Sequence, residues 1–259
     1  TVLPTLMTNK DKLSLSELVT HFINYASSHH NIYYSEKIAS TFIAGLATSK
    51  ILILEGISGT GKTSLPYVFG KFIKNDATII SVQPSWRDRF EMMGYYNEFT
   101  KKFNETEFLT SLYDASYRTD INLIVLDEMN LARVEYYFAD FLSLLELPNS
   151  DEWLIEVVPE QLIGDPMHLK EGKLQIPKNV WFVGTANNDD STFGITDKVY
   201  DRASSIVMNE KAKPFKGQML EKINISYEYL EELFKTAYKD HEISNKNLVA
   251  LEKLEIGRA

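Results

Sequence analysis

Cysteine is absent from all 259 residues, which excludes disulfides and thiolate metal sites and fits a reducing compartment. No apolar run approaches the ~20 residues of a membrane-spanning helix, so no membrane role is expected. The stretch TVLPTLMTNKDKLS lacks the basic-then-apolar pattern of a signal peptide. Together these absences predict a cytoplasmic protein. Positive charge is short as well. Against 36 Asp and Glu stand 27 Lys and Arg, and the formal charge of −9 argues against a globally basic nucleic-acid binder. A local patch is compatible with it, but the basic cluster KAKPFKGQMLEK (211–222) reads as a solvated connector. The histidines (His21, His29, His30, His168 and His241) show no metal-ligand spacing, and no zinc site is expected. The sequence has no initiator Met, and LEKLEIGRA ends without a visible terminator, so a piece of a longer polypeptide is expected.

What is present is a sizeable apolar fraction, 44 % of residues, enough for one large domain and a small satellite. Ser14-Leu-Ser-Glu17 has the form of a capping box and predicts a helix over 15–30, with a second over 35–49. KILILEG (50–56) reads as a strand entering a glycine-rich turn, followed by a helix over 62–74 and a strand over 78–84. Helical pattern resumes near Phe90 and over 108–117. INLIVLDE is a strand and 134–146 a helix. Residues 149–178 change character, with WLIEVV and KLQIP as short strand-like pieces of a hairpin-like insertion. Strands follow at 179–186 and 204–209, and the chain beyond Pro214 reads as helical and polar. Strands alternating with helices predict an α/β domain with a largely parallel sheet covered on both faces.

Two stretches carry chemistry. ILILEGISGTGKTS holds G-x-x-x-x-G-K-T, spanning Gly56, Ile57, Ser58, Gly59, Thr60, Gly61, Lys62 and Thr63, with Ser64 next. Glycines let the backbone turn its N–H groups inward, and the following helix adds its positive N-terminal dipole, which together cradle phosphate. Lys62 then reaches the β- and γ-phosphates, and the Thr63 hydroxyl can ligate Mg²⁺. Pro66 falls in the first turn or so of that helix, where N–H groups lack intrahelical partners anyway. The second stretch is INLIVLDEMN (121–130), an apolar strand that stops at Asp127 and Glu128. A strand can end on charges simply because it has reached water. With a phosphate site in the same chain, Asp127 is instead placed to hold Mg²⁺ and Glu128 to polarise the attacking water.

Here the sequence resembles the AAA+ ATPases, and in detail their McrB-like branch, the nucleotide-driven subunits of modification-dependent restriction systems. The resemblance covers roughly residues 35–210 and rests on GISGTGKTSLP, LDEMNLARVEYYFADFLSLLE, FVGTANNDDSTFG and DKVYDRA. It implies a P-loop core whose five-stranded parallel sheet has the P-loop strand and the Asp-Glu strand flanking the strand that ends at Thr185. It also implies an N-terminal helical extension over 1–34, a core over 35–212 containing the insertion, and a helical lid, incomplete here, over 213–259. Asn187 matches the sensor residue at the γ-phosphate, and Asn130 is implied to help order that site. Arg202 sits where the family places its arginine finger, with Arg133 a weaker candidate. McrB-like GTPases carry M-N-T-A-D-R-S where residues 186–192 read A-N-N-D-D-S-T, so Asn187 and Asp190 match but the methionine and arginine do not. ATP with Mg²⁺ is therefore expected, with GTP the alternative.

The implied activity is hydrolysis by a ring, expected to be a hexamer, with DNA or a nuclease subunit as partner. A protein-remodelling chaperone would use the same engine. A nucleotide-gated scaffold would bind with little turnover, and Glu128 argues against that. SVQPSWRDRFEMMGYYNEF (81–99) is rich in aromatics with two arginines, suited either to gripping a strand in a ring channel or to packing on the sheet.

Overall fold

Neighbouring strand residues point to opposite faces, and here both faces are apolar. The computed structural model describes residues 12–97, 99–100, 102–159, 165–187, 192–209 and 211–240. Five strands pair in parallel: β1 (Ile51–Gly56), β2 (Thr78–Ser81), β3 (Asn122–Asp127), β4 (Val180–Asn187) and β5 (Ser204–Val207). Their spatial order is β5-β1-β4-β3-β2, so β4 lies between β1 and β3 as the family resemblance implied. Helices α1 (Leu15–His30), α2 (Glu36–Thr48) and α3 (Ser64–Phe72) cover one face. Helices α4 (Arg89–Met93), α5 (Glu107–Ala115), α6 (Val134–Tyr137) and α7 (Ala139–Leu144) cover the other. Helix α8 (Asp197–Tyr200) leads into β5, and α9 (Tyr227–Asp240) returns to the first face through the buried Leu230. Leu52, Leu54, Leu123, Val125, Trp181 and Val183 fill the first layer, while Ile51, Ile53, Ile124, Leu126, Val180 and Phe182 fill the second. A sheet buried on both sides needs such near-continuous apolar strands.

Local signals act where the sequence puts them. The Ser14 hydroxyl accepts from Glu17 N (3.3 Å), and the Glu17 carboxylate accepts from Ser14 N (2.8 Å), closing the capping box on α1. The helix expected over 134–146 is broken at Phe138 (φ −109°, ψ 9°), and the break lets Phe138 and Phe141 both meet Phe182, at ring distances of 5.4 and 5.2 Å. A two-stranded antiparallel hairpin, Gly94–Asn97 with Lys102–Glu105, was not foreseen. Its connection has no Asn-Gly or Asp-Gly signal. Instead the Asn97 side chain accepts from the N–H groups of Phe99 and Thr100, both at 3.0 Å. The insertion over 149–178 forms a small antiparallel sheet from Leu154–Glu156, Leu169–Lys170 and Lys173–Gln175.

Beyond Pro214 the expected helix is present as α9, but it does not begin at once. Residues 211–225 have no regular secondary structure, and helix begins only at Tyr227. Ile223 and Ile225 are buried with Asn224 between them, an alternation that suits an extended strap. Ile223 N donates to Phe72 O (2.9 Å) at the end of α3, and Gly217 N donates to the Ser27 hydroxyl (3.1 Å) on α1. A side chain at Gly217 would approach Ser27 Cβ to 2.8 Å, so glycine is needed for that crossing. Residues 241–259, including His241, lie outside the described residues. Among the described residues no helix is long and apolar enough to cross a membrane.

Lys50, just before β1, is held where α9 meets the sheet. Its Nζ lies 3.5 Å from the centre of the Trp181 ring and 5.1 Å from that of Tyr227, and donates to Lys178 O (2.5 Å). Burial pulls this ammonium down to about 7, only partly offset by the Glu231 carboxylate. In the unfolded chain an ordinary lysine holds its proton to far higher pH. The unfolded state therefore binds more protons between the two values, and stability should rise with pH from about 7 to about 9.5, below the tyrosine range. Lys50→Met should flatten that rise. Urea denaturation of both proteins across this window checks it, and equal slopes would mean Lys50 stays charged in the fold.

Candidate functional site

The C-terminal edge of the parallel sheet collects the polar residues singled out above. β1 ends at Gly56, whose φ of +140° no other residue adopts readily and whose Cβ would lie 2.4 Å from Met208 O. Ile57 and Ser58 face solvent, and the turn continues through Gly59 (φ +77°) and Gly61 (φ +88°). The Thr60 hydroxyl braces it by donating to Ile57 O (3.0 Å). Lys62 is 7 % exposed, and its Nζ donates to Gly56 O (2.9 Å) and Ile57 O (2.8 Å), so the ammonium lies within the curl of the glycine loop. Thr63 precedes α3, which starts at Ser64, without capping it through its side chain, and Pro66 occupies the first turn.

Across the sheet, β3 delivers the two acids. Asp127 Oδ1 accepts from the hydroxyls of Thr63 (2.6 Å) and Thr185 (2.8 Å). Glu128 leaves the strand in the left-handed region (φ 53°, ψ 47°), a conformation that costs a non-glycine residue about 1–2 kcal/mol. Its N–H donates to Thr185 Oγ1 (2.9 Å), and its carboxylate accepts from Asn187 Nδ2 (3.4 Å). Asn187 itself stands opposite Gly56 in the β1–β4 register. Lys62, Thr63, Asp127, Glu128 and Asn187 thus converge from three adjacent strands and one helix N-terminus. Asn130 is 4 % exposed and clamps the segment after β4, giving Nδ2 to Asn187 O (2.8 Å) and Phe193 O (3.2 Å) and accepting from Phe193 N (2.8 Å). Asp190 lies outside the described residues.

The donor set suits one hard cation. Mg²⁺ takes few protein ligands and completes its shell with phosphate and water. A hydroxyl and a carboxylate 2.6 Å apart, Thr63 and Asp127, meet that need. Among the described residues no cluster of three His, Asp or Glu side chains offers a fuller protein cage.

Arg202 is not part of this constellation. Its carbonyl accepts from the Ser49 hydroxyl (3.1 Å), which puts it at the start of β1, about 20 Å from the glycine loop at ~3.3 Å of rise per residue. There its Nε pairs with Glu146 (2.8 Å) and its Nη1 donates to Lys198 O (2.6 Å). Arg133 is closer to the acids in sequence but half exposed, lying over the rings of Phe193 (5.1 Å) and Tyr136 (5.8 Å). Beside the glycine loop runs a groove of about 260 Å³ lined by Ile32, Tyr34, Ile38, Gly59, Gly61 and Met208. A larger cavity of about 650 Å³ lies at the opposite edge around Lys50, Trp181 and Arg202. The smaller groove is the better candidate for a ligand, because Gly59, Thr60, Gly61 and Ser64 of the glycine loop and α3 form one of its walls.

Two contributors escaped sequence reasoning. Thr185 joins both acids, and the signal available was a lone hydroxyl in the apolar strand VWFVGTA. Tyr200 donates to Glu55 (2.9 Å) beneath the loop, and burial, then that bond, push its hydroxyl up to about 12. Nothing in the sequence pairs those two positions.

Comparison with known proteins finds likeness in shape only. No protein-family profile matches the chain, and no curated protein matches it by sequence. Among solved structures it is similar to "a putative ATPase" from Cytophaga hutchinsonii, with a TM-score of 0.51 over 85 % of this chain at 16 % identity. The chain spans 64 % of that protein's length. At this identity the likeness bears on fold alone, an α/β core with a five-stranded parallel sheet flanked by helices.

Proposed function

We propose that this chain is the motor module of a Mg²⁺-dependent nucleoside triphosphatase of AAA+ type, with ATP as the preferred nucleotide. The observation that carries the reading is the convergence of the glycine loop, Lys62, the Thr63–Asp127 pair, Glu128 and Asn187 at one sheet edge. In this reading Gly56 to Ser64 cradle the phosphates through backbone N–H groups, and Lys62 leaves its carbonyl partners for the β- and γ-phosphates. Thr63 and Asp127 would hold Mg²⁺, which supplies neutralisation of the phosphate charge. Glu128 orients and polarises the attacking water, and Asn187, bonded to the Glu128 carboxylate, keeps that water and the γ-phosphate in register. The base would occupy the groove beside Tyr34 and Met208, whose apolar walls suit a purine face.

The McrB-like resemblance supports a setting in restriction or anti-phage defence in the cytoplasm, with DNA or a nuclease subunit as partner. GTP is the second reading, favoured by Asn187 and Asp190 of the GTPase signature. The chaperone reading differs in what stimulates turnover, a protein rather than DNA.

Glu128→Gln should leave nucleotide affinity nearly intact and lower hydrolysis by about 10²- to 10⁴-fold, the span for losing a general base. Lys62→Ala should weaken binding itself. Titration of both variants and the parent with ATP and GTP in Mg²⁺ tests this. Equal binding losses in the two variants would make Glu128 structural, and a clear GTP preference would reverse the choice of nucleotide.

Arg202 supports a ring. It lies too far from its own glycine loop to serve it, and family geometry directs it to the neighbouring subunit's nucleotide. Arginines in that role contribute about 10³- to 10⁵-fold. Arg202→Ala should therefore bind nucleotide normally and hydrolyse slowly. Mixing it with Lys62→Ala should restore part of the turnover, because Lys62→Ala subunits lend an arginine to intact loops. Co-assembly by sizing together with an inactive mixture would refute the in-trans role.

A further inference from the structure

On the nucleotide-hydrolysing reading above, we infer that Thr185 is the positioning residue that sets both acids, so that its hydroxyl governs Asp127 and Glu128 together. One oxygen makes both contacts. Thr185 Oγ1 donates its only proton to Asp127 Oδ1 (2.8 Å) and accepts the Glu128 N–H (2.9 Å), in a residue only 2 % exposed. The two bonds do different things. The first fixes Asp127 Oδ1 on the side where Thr63 also reaches it (2.6 Å). The second holds a glutamate in the left-handed conformation that L side chains avoid, and so turns its carboxylate toward Asn187 instead of along the strand.

The residue before Thr185 explains why the turn can reach it. Gly184 lets Met129 fold back against β4, since a Cβ there would meet Met129 Sδ at 1.9 Å. Gly184 thus permits the approach, and Thr185 fastens it. Nothing in packing alone asks for the hydroxyl. From Val180 to Ala186 the strand is otherwise apolar, and valine has the same shape and branching without the donor or acceptor. Because β4 also carries Asn187 two residues on, one strand holds the sensing amide and the hydroxyl that orients both acids.

The experiment compares Thr185→Val and Thr185→Ser with the parent chain. ATP affinity is measured in EDTA and in excess Mg²⁺, alongside turnover and thermal melting. Thr185→Val should keep its affinity in EDTA, lose the gain that Mg²⁺ brings, and turn over about 10- to 100-fold more slowly, as for loss of a residue supporting a metal site. Thr185→Ser should restore most of both. Placed in Glu128→Gln, Thr185→Val should cost little further turnover, because both changes disable one element. A purely structural threonine would instead lower the melting temperature, leave the Mg²⁺ dependence alone and multiply the Glu128→Gln loss. That pattern, or a Ser variant as poor as Val, overturns the inference. Should Thr185→Val not fold, Thr185→Cys, similar in volume and a much weaker donor, takes its place. A parent chain that binds no nucleotide in either condition would bring down the nucleotide reading and this inference with it. Parent binding and Glu128-dependent turnover with a silent folded Thr185→Val would sink this inference alone.

Discussion

The pairing of β4 with β1 on one side and β3 on the other is the constraint on which the rest depends. Parallel register puts Asn187 beside Gly56, and Leu126 beside Gly184, in one continuous hydrogen-bonded ladder. A glycine turn and a pair of acids that lie far apart in sequence are thereby brought to one edge with no freedom to slide. A slip of one residue would exchange the two faces of a strand, and both faces are fully apolar-matched to their helices. The energy that fixes the site is therefore mostly burial away from it.

That burial explains why unfavourable local features persist at the edge. Glu128 sits in a left-handed conformation, the buried Lys62 ammonium is turned onto the carbonyls of Gly56 and Ile57, and Asn130 keeps an unpartnered side-chain oxygen inside the fold. Each would be discarded by a sequence selected for stability alone. They are tolerated because aromatic packing around Phe182 and the Leu and Val layers beneath β1 hold the strands in place regardless.

Much of this was legible in the sequence, for identifiable reasons. The glycine loop and the strand ending in two acids carry spacing constraints that few other structures impose, so Gly56 to Thr63, Asp127 and Glu128 could be marked from local sequence. The capping box at Ser14 and the five core strands follow from equally local rules. What stayed hidden depends on distance. Thr185 looks like any strand threonine, because even the expected place of β4 beside β3 does not say which atoms its hydroxyl meets. The 94–105 hairpin turns on an Asn97 side chain rather than a turn dipeptide. The 211–225 segment reads as a solvated connector because of its lysines, whereas Gly217 ties it to α1 and Ile223 to α3, and Ile223 and Ile225 are buried in the core.

The two ends of the sheet also differ in what they lack. The C-terminal edge has turned amides and a lysine, but among the described residues no arginine approaches Asp127, Glu128 or Asn187 in the hydrogen bonds of that edge. The N-terminal edge has Arg202 about 20 Å away, tied to Glu146 and Lys198 O. The pair with Glu146 is partly exposed, so it contributes little to stability and can be exchanged for another anion at small cost. On the proposed in-trans role of Arg202, the glycine loop and Arg202 lie at opposite edges of one sheet, so each would meet its complement on another subunit, an arrangement that head-to-tail association repeats around a ring. In the proposed ring, each sheet would then carry the site of one hydrolysis and complete the next.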